Sequence, residues 1–337
     1  MTPRGSSDAD RVDGPSVPES AGGSGRVEWV VGRPPRPRRA VCDPSRRSHP
    51  LAAHRRSSGA MTDEAGWTDE VVLVGGMDPR FAPIRVGDTV RRVAGSSAPA
   101  VRALLVHLEA VGFDGAPRFL GIDEAGRDVL SWIDGDVPLP PYPAWARTEQ
   151  ALDDLGRLVR RLHDATAGFQ LAEAAPADWA TDWADPTAGV APTTVVCHND
   201  LFPENVVFRD GRVVALIDFA MAAPGRPLWD LAIAAELWCP LGDPGRRDPS
   251  DTALDAVRRF GILTRAYGLA PEGAAELLDV LADERLHAVA NIHAEISSGN
   301  ESWIRNWAAM GGDERAAADD AWIAANRERL IGSMRRS

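Results

Sequence analysis

Residues 195–231 are the most informative part of the sequence, and they read VVCHNDLFPENVVFRDGRVVALIDFAMAAPGRPLWDL. Two short apolar runs in this stretch, Asn205–Phe208 and Val213–Ile217, are separated by a turn that contains Asp-Gly. Apolar runs on either side of such a turn predict a β-hairpin. The hairpin would bring Asp218, at the end of its second strand, back beside the loop that holds Asp200.

Three polar side chains of this stretch have the types and spacing that phosphoryl transfer needs. Asp200 and Asn205 lie on one loop, and Asp218 ends an apolar strand, where a carboxylate without a partner is costly. Mg²⁺ is held by a few oxygen ligands together with phosphate oxygens, and a separate carboxylate orients the acceptor hydroxyl. Asp200 fits the orienting base, Asn205 a neutral oxygen ligand and Asp218 the charged metal ligand. The alternative interpretation is an ordinary polar turn followed by a hairpin.

These residues resemble the aminoglycoside phosphotransferase-like enzymes, which are relatives of the protein kinases. The catalytic loop of that family reads His-Gly-Asp, four residues and Asn, and residues 198–205 here read HNDLFPEN. Its metal strand ends in Ile-Asp-Trp or Ile-Asp-Phe, and residues 217–219 read Ile-Asp-Phe. The family motif Gly-(Asp)-Pro-Leu-(Tyr/Trp)-Asp-Leu-Ala corresponds to GRPLWDLA at residues 225–232. The resemblance covers the chain from about residue 70 onward and is strongest between residues 155 and 237.

The resemblance implies an α+β, protein-kinase-like fold with two lobes, a small β-rich N-lobe and a larger helical C-lobe. It implies ATP or GTP and Mg²⁺ in the cleft between them, with Asp200 as catalytic base and Asn205 and Asp218 as Mg²⁺ ligands. His198 is expected to pack beneath the catalytic loop. Asp230, at the start of the next helix, is expected to accept backbone N–H groups of that loop.

The chain departs from the family in its phosphate-binding cation. It contains no lysine, so the lysine that clamps the phosphates in the family is absent. Val90 resembles the apolar residue that packs on the adenine, and alternate residues of a strand share a face, so Arg92 takes the place of the lysine and Arg91 the other face. Both arginines could instead be solvated charges of an edge strand. A glutamate partner for this cation is not evident in the following helix, and Asn199 stands where the family has Gly.

The remaining candidate nucleotide contacts lie earlier in the chain. Gly75 and Gly76 end a short apolar strand and look like a short phosphate loop. By resemblance, residues 130–133 form the hinge between the lobes. Trp132 and Ile133 would then offer backbone groups to the base.

The order of the predicted elements is strands first and helices afterwards, which is typical of an α+β fold. We expect residues 1–60 to be a disordered extension rich in Pro, Arg and Ser, residues 61–135 to be the N-lobe and residues 136–337 the C-lobe. A Gly87-Asp88 hairpin and a helix marked by apolar residues 101–108 are predicted in the N-lobe. In the C-lobe, a helix capped by Thr148 precedes the catalytic loop, and helices are predicted over residues 228–237, 252–267, 272–296 and 319–331.

Composition narrows the classes of function. No run approaches the length of a membrane helix, the N-terminus lacks a secretory pattern and the three cysteines form no CxxC pair, so a cytoplasmic protein is expected. Residues 1–60 carry eleven Arg and six acids, so the net charge of −12 leaves −17 on residues 61–337. This charge disfavours nucleic acid and suits a cationic or neutral small molecule, although surplus acids can simply be a solvated surface.

Two functions stay open. The first is a kinase that moves the γ-phosphoryl of ATP or GTP onto a hydroxyl of an aminoglycoside-like or other amino sugar or alcohol. The alternative is a catalytically silent, kinase-like protein that binds a nucleotide or another ligand. The intact Asp200, Asn205 and Asp218 favour the kinase, and the missing lysine favours the silent protein. Neither the acceptor nor the oligomeric state is predicted.

Overall fold

The first part of the molecule is an antiparallel sheet. The structure is a computed structural model that describes residues 70–73, 82–167, 169, 179–188, 194–247 and 249–335. The sheet has the order β1-β2-β3-β5-β4. Its strands are β1 (Glu70–Val72), β2 (Ile84–Val86), β3 (Thr89–Arg92), β4 (Phe119–Ile122) and β5 (Asp128–Ser131). The predicted β2–β3 hairpin is confirmed, and Gly87 takes the positive φ of 57° that its tight turn requires.

Helix α1 (Ala98–Ala110) connects β3 to β4 and covers one side of the sheet. Leu104, Leu105 and Leu108 are buried on its inner face, as their spacing predicted. Just before the helix, the hydroxyl of Ser97 donates a 3.0 Å hydrogen bond to the carbonyl of Ala220. This bond ties the start of α1 to the segment that follows Asp218.

The second part of the molecule is mainly helical. Its helices are α2 (Glu149–Thr166), α3 (Pro227–Trp238), α4 (Ala256–Tyr267), α5 (Ala274–Ser297), α6 (Glu301–Ala309) and α7 (Gly312–Ser333). Two small antiparallel sheets are inserted between α2 and α3, one pairing β6 (Val195–Cys197) with β9 (Ala223–Gly225) and the other pairing β7 (Val206–Arg209) with β8 (Arg212–Leu216). Within the described residues, none of the helices has the length and apolar character needed to cross a membrane.

Helix α2 supports the two small sheets from below. The Thr148 hydroxyl accepts a 3.1 Å hydrogen bond from the backbone N–H of Ala151 and caps the helix, as predicted. One face of α2 is fully buried in the core, with Leu152, Leu155, Val159 and Leu162. The opposing helix α4 crosses α2 at Gly156.

Three elements were not predicted from the sequence. Strands β6 and β9 have only three residues each and are buried, so they lack the alternation that marks a half-exposed strand. Helix α6 lies between the helices predicted over residues 272–296 and 319–331 and was not predicted. In the structure this helix buries none of its residues.

The segment between β5 and α2 joins the sheet to the β7–β8 hairpin. Asp136 pairs with Phe208 of β7 through two backbone hydrogen bonds of 2.7 and 2.8 Å. The chain therefore passes from β5 directly along the hairpin that carries the predicted metal ligands. The predicted extension over residues 1–60 lies outside the described residues, and the lobe boundary at residue 135 stays a prediction.

Candidate active site

The catalytic loop begins at the end of a buried strand. Val195, Val196 and Cys197 of β6 are almost fully buried, and β6 pairs with β9. The loop that follows is held from beneath by Asp230, in the first turn of α3, which is completely buried. Its carboxylate accepts hydrogen bonds from the backbone N–H groups of His198 (2.7 Å) and Asn199 (2.8 Å). The predicted structural role of Asp230 is confirmed.

Asp230 also contacts His163 of α2. His163 Nε2 lies 3.1 Å from Asp230 Oδ2, and its Nδ1 lies 2.8 Å from the Tyr267 hydroxyl. Burial alone would raise the pKa of Asp230. Its pKa is nevertheless held below the usual range by the hydrogen bond from His163, by the charges of His163 and His198, and by the hydrogen bond from the Asn199 N–H. Cys197 lies close to both side chains, and burial raises the pKa of its thiol well above the usual value. The Cys197 thiol lies 3.4 Å from the Arg226 carbonyl, and the His163 and Asp230 side chains are bonded to each other and to their neighbours, so the cluster supports the loop.

The residues before Asp200 fix the shape of the loop. His198 is fully buried, its Nε2 lies 3.0 Å from the Ile217 carbonyl, and burial lowers its pKa, which favours the neutral ring. It packs beneath the loop as predicted. Asn199 has a left-handed backbone with φ 62°, which explains why Gly serves at this position in the family. Its side-chain amide donates a 2.9 Å hydrogen bond to the Met221 carbonyl.

Asp200 and Asn205 are in direct contact. Asn205 Nδ2 donates to the backbone carbonyl of Asp200 at 2.9 Å and to Asp200 Oδ2 at 2.8 Å. Burial, and then the charge of Asp218, raise the pKa of Asp200 to about 7. The backbone N–H of Ile217 donates to the Asn205 carbonyl at 2.9 Å, which places the next residue, Asp218, beside the loop as the hairpin predicted.

Asp218 is held at the end of the hairpin in an unusual backbone conformation. Its φ of 64° is left-handed, and its Oδ1 accepts a long 3.4 Å hydrogen bond from the Ala220 N–H. The same Oδ1 lies 2.5 Å from a guanidinium nitrogen of Arg92 in β3. Arg92, Asp200, Asn205 and Asp218 are thus brought together from the sheet, the catalytic loop and the hairpin.

The other predicted nucleotide contacts have different surroundings. Arg91 donates to the Thr89 hydroxyl at 2.6 Å and lies 3.7 Å from Asp123, on the face of β3 opposite to Arg92. The backbone N–H of Trp132 donates to the Asp88 carbonyl at 2.9 Å, and the Arg85 guanidinium stacks 4.0 Å from the centre of its ring, so this N–H already has a partner. Ile133 follows it and is half-buried. Gly75 and Gly76 lie outside the described residues.

Two polar pairs near the site were missed by the sequence analysis. Arg102 of α1 forms a 2.7 Å ion pair with Asp128, which starts β5 directly opposite Arg92. Tyr142 donates a 2.5 Å hydrogen bond to Glu204, the neighbour of Asn205. A carboxylate that opens an apolar strand, as Asp128 does, is the one sequence signal that could have indicated the first pair.

Comparisons with known proteins identify the family of this chain. Residues 62–262 match the phosphotransferase enzyme family, abbreviated APH. The trifolitoxin immunity protein of Rhizobium leguminosarum bv. trifolii is 35% identical over 238 residues, which are 69% of this chain and 87% of that protein. A homoserine kinase of Gluconacetobacter diazotrophicus is 34% identical over 122 residues, which cover 28% of this chain but only 38% of the kinase.

Two solved structures share the fold. A choline/ethanolamine kinase family protein from Mesorhizobium loti superposes with a TM-score of 0.54 at 20% identity, over 80% of this chain and 94% of that one. The GDP complex of an aminoglycoside 2'-phosphotransferase carrying one substitution gives 0.51 at 14% identity, over 78% and 95%. The predicted two-lobed α+β fold is confirmed. The chain belongs to the phosphotransferase enzyme family and is a small-molecule phosphotransferase that acts on hydroxyl groups.

Proposed function

We propose that the protein transfers the γ-phosphoryl group of ATP or GTP, as its Mg²⁺ complex, to a hydroxyl of a small molecule, with Asp200 as catalytic base. The observation that carries the proposal is the contact between Asp200 and Asn205 beside the Arg92–Asp218 pair. A base, two oxygen ligands and a cation for phosphate are the parts that phosphoryl transfer requires.

The donor atoms fit a magnesium ion. Asn205 donates both of its described hydrogen bonds through Nδ2, which leaves the amide oxygen Oδ1 for a metal. The Asp218 side chain is one-third exposed and already takes a cationic partner, Arg92. Carboxylate and amide oxygens are hard ligands of the kind that Mg²⁺ prefers, and Mg²⁺ completes its coordination with water and phosphate oxygens. When bound, the ion would neutralise charge on the phosphates.

The chain's own residues then act on the acceptor and the nucleotide. The acceptor oxygen bonds to the γ-phosphorus while the bond from that phosphorus to the β–γ bridging oxygen breaks, and the nucleoside diphosphate leaves. The hydroxyl proton passes to Asp200. Asp200 Oδ2 accepts the hydrogen bond from Asn205, so we assign Oδ1 as the oxygen that receives the hydroxyl proton. Arg92 would grip phosphate oxygens with its planar guanidinium, in place of a lysine.

The acceptor class follows from charge and from the relatives. The −17 charge of residues 61–337 favours a cationic or neutral acceptor, such as an amino sugar or amino alcohol. The relatives add two directions: a homoserine kinase, by its name, acts on homoserine, an amino acid that carries a hydroxyl, and an immunity protein, by its name, protects against a toxin. We therefore propose a hydroxyl-bearing amine, either a metabolite or a toxic compound that the protein inactivates.

A second candidate function is ligand binding without turnover. The observation that favours it is the Arg92–Asp218 pair, because a cation already occupies the carboxylate that a metal would need. In that case the protein would protect by sequestering a compound rather than by modifying it.

Alanine variants of the two aspartates test the proposed roles. Asp200→Ala should lower turnover by a factor of about a hundred or more, because the base is lost. Nucleotide binding should stay nearly intact, because Asn205 keeps its 2.9 Å hydrogen bond to the backbone carbonyl of residue 200. Asp218→Ala should weaken binding of the Mg²⁺-nucleotide complex itself. Asp164→Ala, an exposed carboxylate on α2, is the matched control and should change neither. Wild-type turnover in Asp200→Ala would show that the base is misassigned.

A further inference from the structure

The Arg92–Asp218 ion pair links the predicted phosphate cation to the predicted metal ligand. The two side chains are 26% and 34% exposed, so the pair lies at the edge of the cleft and ligands can reach it. The neighbouring Arg91 points to the other face of β3, toward Asp123. The position of Arg92 toward Asp218 is therefore set by the alternation of the strand.

Helix α1 offers Arg92 no carboxylate. At the point where α1 faces the sheet it presents a cation, Arg102, which is paired with Asp128 at 2.7 Å. Asp128 lies directly opposite Arg92 in the strand register, but its charge is already taken. Glu109, near the end of α1, pairs with Arg118 on the surface. Among the described residues, Arg92 forms its ion pair with Asp218.

There is space for the Arg92 side chain to change partners. A cavity of about 250 Å³ lies between β3, the start of α1 and the segment Asp218–Ala220. Both Arg92 and Asp218 line it, and most of its other lining is apolar. An arginine has a long flexible stem and a head that can bind either a carboxylate or a phosphate in a forked geometry.

We propose that Arg92 is the resting partner of Asp218 and leaves it when the nucleotide binds. In the free protein the guanidinium occupies Asp218 Oδ1 and keeps a divalent cation away, because two cations repel each other and compete for one oxygen. The phosphates of the nucleotide attract Arg92 and release Asp218 for the metal. Nucleotide and metal then strengthen each other's binding, by the same factor in both directions. This inference rests on the proposed roles of Arg92 and Asp218.

The exchange predicts opposite effects of one substitution on two ligands. Arg92→Met removes the competitor of the metal and the partner of the phosphates. Mn²⁺ alone, measured by electron paramagnetic resonance without nucleotide or acceptor, should bind about tenfold more tightly to this variant than to the wild type. ATP and GTP in the presence of Mg²⁺, measured by calorimetry, should bind about tenfold more weakly. Arg118→Met is the control, because Arg118 is an exposed arginine of the same sheet region that pairs with Glu109, and it should change neither affinity.

The failure of the exchange can be distinguished from the failure of the proposed metal site. If Arg92→Met binds Mn²⁺ no better than the wild type while Asp218→Asn loses Mn²⁺, the metal site stands and the exchange is refuted. If Asp218→Asn leaves Mn²⁺ binding unchanged, the metal role of Asp218 fails and the exchange fails with it. Arg92→Lys keeps the charge and is used if the Met variant does not fold. Its shorter point charge should hold Asp218 less firmly, so Mn²⁺ affinity should again rise.

Discussion

The chemistry of single residues in this site centres on the buried carboxylate of Asp200. Burial is the main cause that raises its pKa to about 7, and the negative charges of Asp218 and Glu204 raise it further. The Asn205 hydrogen bond and the positive charge of Arg92 act in the opposite direction. A base with a pKa near the working pH accepts a proton well and is still ionised often enough to do so.

The charge of Glu204 gives a prediction with a definite sign. In the proposed mechanism the ionised form of Asp200 accepts the proton, so kcat/KM should fall tenfold per pH unit below about 7, the pKa of Asp200 in the free enzyme. Glu204→Gln removes one of the charges that raise this pKa. The acid limb of the kcat/KM profile should therefore move to lower pH, by roughly half a unit.

A matched variant separates charge from structure at this position. Tyr142→Phe removes the hydrogen bond to Glu204 but leaves the charge of Glu204 in place. Its acid limb should not move to lower pH. If Glu204→Gln moved the limb to higher pH, or left it unchanged, the electrostatic account of Asp200 would be wrong.

The backbone conformation of Asn199 predicts how substitutions at this position change the stability of the protein. The left-handed φ of 62° suits Gly and Asn but not Ala, and the Asn199 side chain bonds the Met221 carbonyl. Asn199→Gly should lose only the hydrogen bond and cost about 1 kcal/mol of unfolding free energy. Asn199→Ala should lose the bond and add backbone strain, about 2 kcal/mol in total. Urea denaturation of the three proteins checks the order, and an Ala variant as stable as the Gly variant would contradict it.

The sequence indicated Asp200, Asn205 and Asp218 because their spacing around one hairpin is local and depends on few contacts. It placed Arg92 and Arg91 on opposite faces of β3 because alternation in a strand is a geometric rule. It missed Arg102–Asp128, since that pair joins residues from a helix and a strand that only tertiary packing brings together. The sequence also did not indicate that the backbone N–H of Trp132 would donate a hydrogen bond to the Asp88 carbonyl.

At the scale of secondary-structure elements, the crossing of α2 and α4 supports the site. Helix α2 carries His163, which holds Asp230, and α4 carries Tyr267 at its C-terminal end, which bonds His163. A Cβ atom on Gly156 would lie 2.8 Å from both Ala266 Cβ and the Leu263 carbonyl oxygen. The helices can approach this closely only because residue 156 has no side chain.

The close approach at Gly156 predicts an effect opposite to helix propensity. Alanine normally stabilises a helix by up to about 1 kcal/mol relative to glycine. Gly156→Ala should instead lower the free energy of unfolding by roughly 1–3 kcal/mol, because backbone of α4 must move. Gly332→Ala in α7 is the control, since its Cβ would meet nothing within 4 Å and the variant should be neutral or more stable. If thermal denaturation showed the same gain in stability for both variants, α2 and α4 would not be in close contact at residue 156.

Element prediction succeeded where a pattern was long or closed by a turn. The β2–β3 and β7–β8 hairpins and helices α1 to α5 have clear turns, caps or apolar faces. Strands β6 and β9 were missed because three buried residues carry no period, and their pairing joins segments far apart in the chain. Those two strands flank the predicted catalytic loop. The sequence therefore predicted the loop but not the strands that support it.

At the scale of the whole molecule, the family match begins at residue 62, next to the change of composition at Met61. A chain that starts at Met61 should keep the melting temperature and nucleotide affinity of the full chain, because the described core lies within residues 63–337. Differential scanning calorimetry and nucleotide titration of the two lengths check this. A lower melting temperature in the shorter chain would mean that residues 1–60 contribute to folding.

The order of strands and helices predicted the α+β class, because layer architecture follows from that order, and the resemblance of the catalytic motifs implied the two lobes. The acceptor could not be predicted in the same way. Acidic residues on surface helices are compatible with both a cationic ligand and plain solvation, and the sequence does not distinguish the two.

We propose that the protein transfers a phosphoryl group from a nucleotide to a small-molecule hydroxyl with Asp200 as base. The most direct test of this proposal is a screen of amino sugars, amino alcohols, choline-like alcohols and macrolides with γ-labelled ATP and GTP and Mg²⁺, in which labelled products are identified by mass spectrometry. We predict a singly phosphorylated acceptor with the wild type, and none above background with Asp200→Ala. Tight binding of nucleotide and of a screened compound without any labelled product would contradict the claim and favour the silent binding protein.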